Sequence, residues 1–386
     1  MRIAITADPY IPVPPAGYGG IERTVDFVCR GLTQRGHKIT LFAHRDSSTI
    51  ATLIPYGVPP HQGVVSRLKE LWQLGPGLFT RRKEFDATLI PYGVPPHQGV
   101  VSRLKELWQL GPGLFTRRKE FDVVISWGRL AALLPILPWR TIPKIQRYCR
   151  SSVPWTSVRI ATALAGKSIE FVGASTSVYH EDNKIPAGSW RTIFDGVEMD
   201  RYTFVPSVSP DAPLAFLGRL CPGKIPHVAI AVAKATGRQL ILAGNREPDA
   251  DDPTYFEREV EPHIDEQQIQ YIGTVNDEQK NSLLGRSAAL LFPTAFKEAF
   301  GIVMAEAFAC GTPVLASPRG SVPEVVREGK TGFICATVDD FVRAVAKVPT
   351  LNRRIIRQEC EQRFSAQVIV DQFEQLCFEM TRRRIR

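Results

Sequence analysis

The chain has 386 residues, 44% of them hydrophobic, with 48 Lys plus Arg against 39 Asp plus Glu. That is enough chain for two domains, each with its own core, and the longest apolar stretch, residues 125–139, is broken by Arg129, Pro135 and Pro138 short of the roughly 18 residues a spanning helix needs. The net charge of +9 suits several anionic partners without choosing one, and the seven cysteines contain no C-x-x-C pair, which argues against a zinc site or a disulfide framework.

In chain order, residues 3–7 are a short apolar run with β-branched members, and residues 9–20 are rich in Pro and Gly. Ile21, Val25, Val28 and Leu32 then recur at helical spacing until Gly36, and residues 38–43 resume strand character. Strand, helix and strand in that order predict a βαβ unit and hence a parallel sheet. Asp8 stands where the apolar stretch of a secretory signal would run, so the expected location is cytoplasmic.

Residues 51–86 read ATLIPYGVPPHQGVVSRLKELWQLGPGLFTRRKEFD, and residues 87–122 repeat those 36 letters without a difference. Solenoid repeats need about three copies and normally diverge, so two identical copies point to a recent duplication, or an error of sequence assembly, rather than to an architecture. In the first copy Val64, Val65, Leu68, Leu71 and Trp72 fall on one helical face, with Arg67, Lys69 and Glu70 away from it. Such a helix packs on its own domain or lies on an anionic membrane surface at the inner face of a membrane.

Beyond the block, residues 122–126 and 171–175 read as buried strands and residues 190–204 as a connection. The alternation then restarts, with strands at 214–217, 239–243, 269–272, 289–292 and 313–316, and helices at 227–236, 254–264, 277–286, 301–309 and 338–348. The expected fold class is α/β, two doubly wound Rossmann-like domains facing across a cleft: residues 1–196, then 197–364, with 365–386 a helix and basic tail returning to the first domain.

Three segments carry chemistry. Gly19 and Gly20 precede the first helix, where backbone N–H groups and the helix dipole favour a phosphate. The segment does not match the G-x-G-x-x-G fingerprint of dinucleotide-binding oxidoreductases. Arg219 and Lys224 lie just past the strand at 214–217, where open α/β sheets bind ligands; arginine engages a diphosphate bidentately and lysine adds a point charge. Glu298 and Glu306 follow the strand at 289–292. If the whole stretch is helical they stand roughly 12 Å apart along the axis, beyond the about 5 to 9.5 Å of glycosidase pairs, and therefore read as ligands for two parts of one long substrate.

The cluster GGIE (19–22), GRLCPGK (218–224) and Glu-x7-Glu (298–306), with IQYIGTV (269–275), LLFP (290–293), CGTPV (310–314) and GSVPEVV (320–326) in the same order, resembles the family-4 (group 1) glycosyltransferases of the GT-B fold. The resemblance covers nearly the whole chain outside the repeat. It implies a hexosyltransferase that moves a sugar from a nucleoside diphosphate sugar, with retention and no required metal or other cofactor, to a glycan, lipid-linked or small-molecule acceptor, as in polysaccharide biosynthesis. Arg219 and Lys224 would hold the diphosphate, Glu298 with the N–H groups of Phe300 and Gly301 the donor sugar, Glu306 the ribose, the backbone near Val275 the base, and Gly19 and Gly20 the phosphates from the opposite domain. Nucleic acid is not an expected partner.

Two departures from the family pattern stand out. Ile225 follows Lys224 where the family usually has Gly, and Ser126-Trp127-Gly128-Arg129 stands where many members carry a His; Trp127 and Arg129 are there the candidate acceptor contacts. Asp249-Ala250-Asp251 has the D-x-D form of metal-dependent transferases but sits in a Pro-flanked acidic loop and reads as capping and solvation. The competing readings are a nicotinamide-dependent oxidoreductase and a non-catalytic membrane-associated scaffold.

Overall fold

The computed structural model describes residues 1–15, 17, 19–56, 113–180, 186–246 and 252–383. Two sheets organise the chain, and every strand pairing in them is parallel. The first takes Arg2–Thr6 (β1), Lys38–Ala43 (β2), Thr52–Pro55 (β3), Val123–Ser126 (β4), Lys144–Tyr148 (β5), Ile169–Gly173 (β6) and Trp190–Thr192 (β7) in the order β3-β2-β1-β4-β5-β6-β7. The second takes Leu214–Leu217 (β8), Leu240–Ala243 (β9), Ile269–Tyr271 (β10), Ala289–Phe292 (β11), Val314–Ala316 (β12) and Gly332–Ile334 (β13) in the order β10-β9-β8-β11-β12-β13. Each order reverses once, between β1 and β4 and between β8 and β11. Ligands of doubly wound sheets sit beyond the strand ends at such reversals.

Among the described residues the helices are Gly20–Gln34 (α1), Trp155–Ala165 (α2), Pro226–Thr236 (α3), Tyr255–Glu259 (α4), Asp277–Arg286 (α5), Ile302–Ala309 (α6), Val322–Val325 (α7), Val338–Lys347 (α8), Arg353–Phe364 (α9) and Ala366–Arg383 (α10). Their starts follow local chemistry. Asn276 and Gln279 form a capping box for α5, and Thr337 and Asp340 one for α8. The expected helix at 254–264 ends early at Glu259 and continues as a 3-10 turn through Pro262, which has no N–H to extend it. The strand expected at 171–175 starts two residues sooner, and the stretch at 190–204 contributes β7.

α10 follows the second sheet in sequence but packs on the first. Its Ile369, Val370, Phe373, Leu376, Cys377 and Met380 are buried, the Phe373 ring lies 4.9 Å from that of Trp127, and Val370 fills the space above Gly31. Six such side chains contribute on the order of 10 kcal/mol of gross transfer free energy before the entropic cost of ordering them. Arg35 pairs with Asp371 and Glu374, and Arg383 with Glu170. The seven cysteines are free thiols, six buried and Cys149 half-buried, and burial pushes the Cys149 and Cys310 thiols up to about 12.

Residues 51–56 come from the head of the first copy of the repeated block and residues 113–122 from the tail of the second, so the described residues use no position of the 36-residue unit twice. The head supplies β3 at the sheet edge. The tail leads into β4, with Leu114 buried, Phe121 edge-on to Phe42, and Asp122 paired with Arg2 at 2.7 Å. The amphipathic face at residues 64–72 lies outside the described residues, as does the acidic loop at 249–251. Deleting residues 57–92 restores one intact copy in a 350-residue chain. We expect this form to unfold cooperatively at an equal or higher melting temperature, because doubling the length of chain between two fixed ends changes closure entropy by only about 0.6 kcal/mol. Loss of a cooperative transition in a thermal melt would show that both copies are structural.

Candidate active site

The loops after β8 and β11 meet at the reversal of the second sheet. Ala295 N–H and the Thr294 hydroxyl both donate to the Gly223 carbonyl, at 3.0 and 3.3 Å, which seats one loop on the other. Lys224 Nζ then donates to Glu298 Oε2, and lies 5.0 Å from the centre of the Phe292 ring. The two side chains are 18% and 22% exposed, so the pair is open to a ligand from one side. Ile225 is left-handed, with φ 38° and ψ 53°. This is the conformation a glycine adopts freely; in a β-branched residue it costs about 1–3 kcal/mol. The chain therefore keeps the loop that a Gly would form, under strain.

Glu298 lies in a loop, and α6 begins only at Ile302. The expected axial spacing of Glu298 and Glu306 thus does not hold, since a continuous helix was its premise. The Glu298 backbone is clasped instead by Gly320, where a Cβ would approach the Glu298 oxygen to 2.2 Å at a φ of +59°. Ser321 N–H donates to Glu298 O at 2.9 Å and the Ser321 hydroxyl to Phe300 O at 2.8 Å, while Ser175 on the first lobe donates to Ala299 O at 2.6 Å. The N–H groups of Phe300 and Gly301 have no partner among the described residues. They add to the positive end of α6.

Glu306, 6% exposed, accepts at Oε1 from Tyr202 Oη (2.8 Å) and Lys280 Nζ (2.6 Å). Its Oε2 has no partner among the described residues. Burial and the neighbouring Glu306 carboxylate push the Tyr202 phenol far up, so it remains a donor. Val275 sits half-buried between β10 and α5, against the second lobe's core. Neither Lys280 nor Tyr202 was legible as a site residue: Lys280 follows Asp277 at i+3 on a polar helix, the pattern of a solvated face, and Tyr202 lies in the connection between the sheets.

Across the cleft, Gly19 takes φ 154° and a Cβ there would stand 2.8 Å from Pro15 Cβ. Gly20 meets the first turn of α6, its Cβ position 3.8 Å from Ile302 Cγ2. The glycine loop and the Glu298 loop therefore face one another. Glu22 is buried beside them, and burial, helped by Asp8, raises its carboxyl above the usual range. Trp127 corrects its expected role as an acceptor contact: the ring is 5% exposed and packed in the core against Phe373, where no sugar stacks on it. Arg129 stays at the mouth of β4, with Nη2 buried and unpartnered.

A family model described as "Glycosyl transferases group 1" matches residues 206–364, from just before β8 to the end of α9. That span is similar to the group 1 glycosyl transferases. It contains Arg219, Lys224, Val275, Glu298, Phe300, Gly301 and Glu306. This chain is similar to part of the D-inositol 3-phosphate glycosyltransferase of Corynebacterium efficiens, 36% identical over 129 residues, 31% of this chain and 30% of the relative. It is similar also to the N-acetyl-alpha-D-glucosaminyl L-malate synthase of Bacillus anthracis (33% over 94 residues, 22% and 25%) and the alpha-1,3/1,6-mannosyltransferase ALG2 of Dictyostelium discoideum (39% over 84 residues, 22% and 20%). The matches thus span under a third of those relatives.

Solved structures match over nearly the full length. AviGT4, a glycosyltransferase involved in avilamycin A biosynthesis, gives a TM-score of 0.62 at 21% identity, over 98% of both chains. The sucrose-phosphate synthase of Thermosynechococcus elongatus gives 0.72 at 16%, over 98% of both. Anabaena HepE in complex with UDP and glucose gives 0.66 at 17%, over 97% of this chain and 99% of that one. At these identities the likeness shows the GT-B fold, as the sequence motifs imply.

Proposed function

We propose that this protein transfers a hexosyl group from a nucleoside diphosphate sugar to a glycan, lipid-linked or small-molecule acceptor, with retention of anomeric configuration. The observation that carries the reading is the meeting of Lys224 and Glu298 at the sheet reversal, beside the positive end of α6. Cleaving a glycosyl phosphate builds negative charge on the departing diphosphate, and in this reading Arg219, Lys224 and the α6 N-terminus stabilise it as it forms. No metal cofactor is needed in this reading, because fixed cations answer that charge.

Glu298 orients the donor sugar through its hydroxyls, assisted by the N–H groups of Phe300 and Gly301. Glu306 Oε2 accepts from the ribose, the backbone near Val275 meets the base, and Gly19 and Gly20 close over the phosphates. HepE, with UDP-glucose bound in a related structure, supports a donor of this class. Arg129, with its unpartnered Nη2, is the remaining acceptor contact on the first lobe and suits an anionic acceptor group. The proposed location is the cytoplasm, with a peripheral contact at the inner face of a membrane as the route to lipid-linked acceptors; no helix among the described residues is long and apolar enough to cross a membrane.

Incubating the protein with a panel of nucleotide sugars and candidate acceptors tests the reading. Release of free nucleoside diphosphate is the expected outcome, and a panel that neither binds nor reacts would refute it. NMR of the product is expected to show the donor's anomeric configuration. Inversion would remove the protein from the retaining class.

A further inference from the structure

Lys280 is placed between two carboxylates. Its Nζ is 2.6 Å from Glu306 Oε1 and 3.4 Å from Asp277 Oδ1. Asp277 Oδ2 takes Arg23 Nη1 of the opposite lobe at 2.8 Å, and the same guanidinium donates through Nη2 to the Gly17 carbonyl at 3.0 Å. Arg201, in the connection between the sheets, stands 3.7 Å from Asp277 as well. A continuous set of polar contacts thus runs from the glycine loop, through Arg23, Asp277 and Lys280, to Glu306, where Tyr202 completes the anchorage of Oε1.

Burial ranks the links. Lys280 and Glu306 side chains are 14% and 8% exposed, whereas Arg23 and Asp277 are 27% and 45% exposed. The inner pair is poorly screened and fixes its geometry; the outer pair is largely solvated and contributes less. A carboxylate held at one oxygen by two donors cannot rotate, and its second oxygen is left pointing at one ligand position. Glu306 has this arrangement.

We propose that Lys280 and Tyr202 are positioning residues that lock Glu306 with Oε2 turned to the nucleotide's ribose, and that Asp277 links this carboxylate to Arg23 and the glycine loop across the cleft. The proposal rests on the donor reading above. In it, Lys280 touches no ligand and acts only through Glu306, and Arg23 acts on the loop rather than on affinity. Sequence offers no sign of this because the five residues are drawn from α1, the inter-sheet connection, α5 and α6.

The test titrates wild-type protein with UDP, GDP and ADP and carries forward whichever binds tightest. Lys280→Met is expected to weaken that nucleotide on the order of tenfold in the wild-type background but less than about twofold when Glu306→Gln is already present. Lys280→Arg, which keeps the cation, is expected to retain affinity, and Tyr202→Phe to weaken it in a Glu306-dependent way; these two carry the comparison if Lys280→Met fails to fold. Arg23→Ala and Asp277→Asn are each expected to lower kcat with donor KM unchanged, and together to do no more than either alone. An equal loss from Lys280→Met in both backgrounds, or no loss in the first, overturns the positioning role while leaving the donor reading intact. Additive effects of Arg23→Ala and Asp277→Asn overturn the link across the cleft. A wild-type protein that binds none of the three nucleotides overturns the donor reading and this proposal together.

Discussion

Lys224→Ala is expected to slow sugar transfer by about 10²–10³-fold, the loss of about 2.7–4 kcal/mol seen when one fixed donor to a developing anion is removed. The argument starts from placement. Lys224 ends the loop after β8, that loop is bound to the segment after β11, and the ammonium lies against the Phe292 ring while it engages Glu298. An ammonium fixed in this way pays no reorganisation when charge appears on a departing phosphate. Removing it also releases Glu298, the proposed holder of the donor sugar, from its partner.

The fold is expected to survive, because the Glu298 backbone keeps its hydrogen bond from Ser321 and its carboxylate side chain, 22% exposed, is reached by water once Lys224 is gone. Turnover and melting temperature measured on the same preparation separate the two effects. Arg219→Ala is expected to behave alike, since in the proposed donor site it engages the same leaving group. Wild-type turnover in either variant would remove that residue from the phosphate site.

Arg353→Ala has the largest expected effect on stability. Arg353 opens α9 and is 8% exposed. Its Nε donates to Val205 O at 2.7 Å, Nη1 to Ser287 O at 3.0 Å, and Nη2 to Gly285 O at 2.9 Å and Thr312 Oγ1 at 2.7 Å. One guanidinium thus satisfies the connection between the lobes, the end of α5 and the approach to β12. Truncation strands several buried acceptors, each costing about 1–3 kcal/mol when unpaired. A total near 3–5 kcal/mol, the range for breaking a buried charged network, lowers the melting temperature on the order of 10 °C. Lysine cannot reproduce the fork, so Arg353→Lys is expected to recover only part of the loss. A melting temperature within two or three degrees of wild type for Arg353→Ala would show that water replaces these contacts at little cost.

Local signals gave most of the framework. The strands at 38–43, 214–217 and 289–292 and the helix at 277–286 have the bounds expected from apolar runs, caps and stop residues, all of which act within a few residues. Lys144–Tyr148 escaped notice because Lys144 and Arg147, read as polar, are buried in the sheet: Lys144 Nζ is held by Trp139 O, Ile142 O and Ser168, and Arg147 by Asp195. The partners are backbone carbonyls, whose availability no side-chain pattern reveals, and the side chains of Ser168 and Asp195, 24 and 48 residues further on, so the strand looks unlike a core element.

The sequence by itself determined the two-sheet α/β plan and the order of the candidate site motifs, since apolar runs and their stop residues put Arg219 and Lys224 just past β8 and Glu298 past β11 whatever the packing. Tertiary structure alone decided which of these residues meet. It paired Lys224 with Glu298, broke the supposed helix between Glu298 and Glu306, and turned Trp127 into the core under Phe373 because α10 returns across the first sheet. It also recruited Lys280 and Tyr202 to Glu306. Side-chain pairing depends on distances of a few ångströms between elements remote along the chain, and periodicity, which reports only the face a residue occupies, carries no information about them.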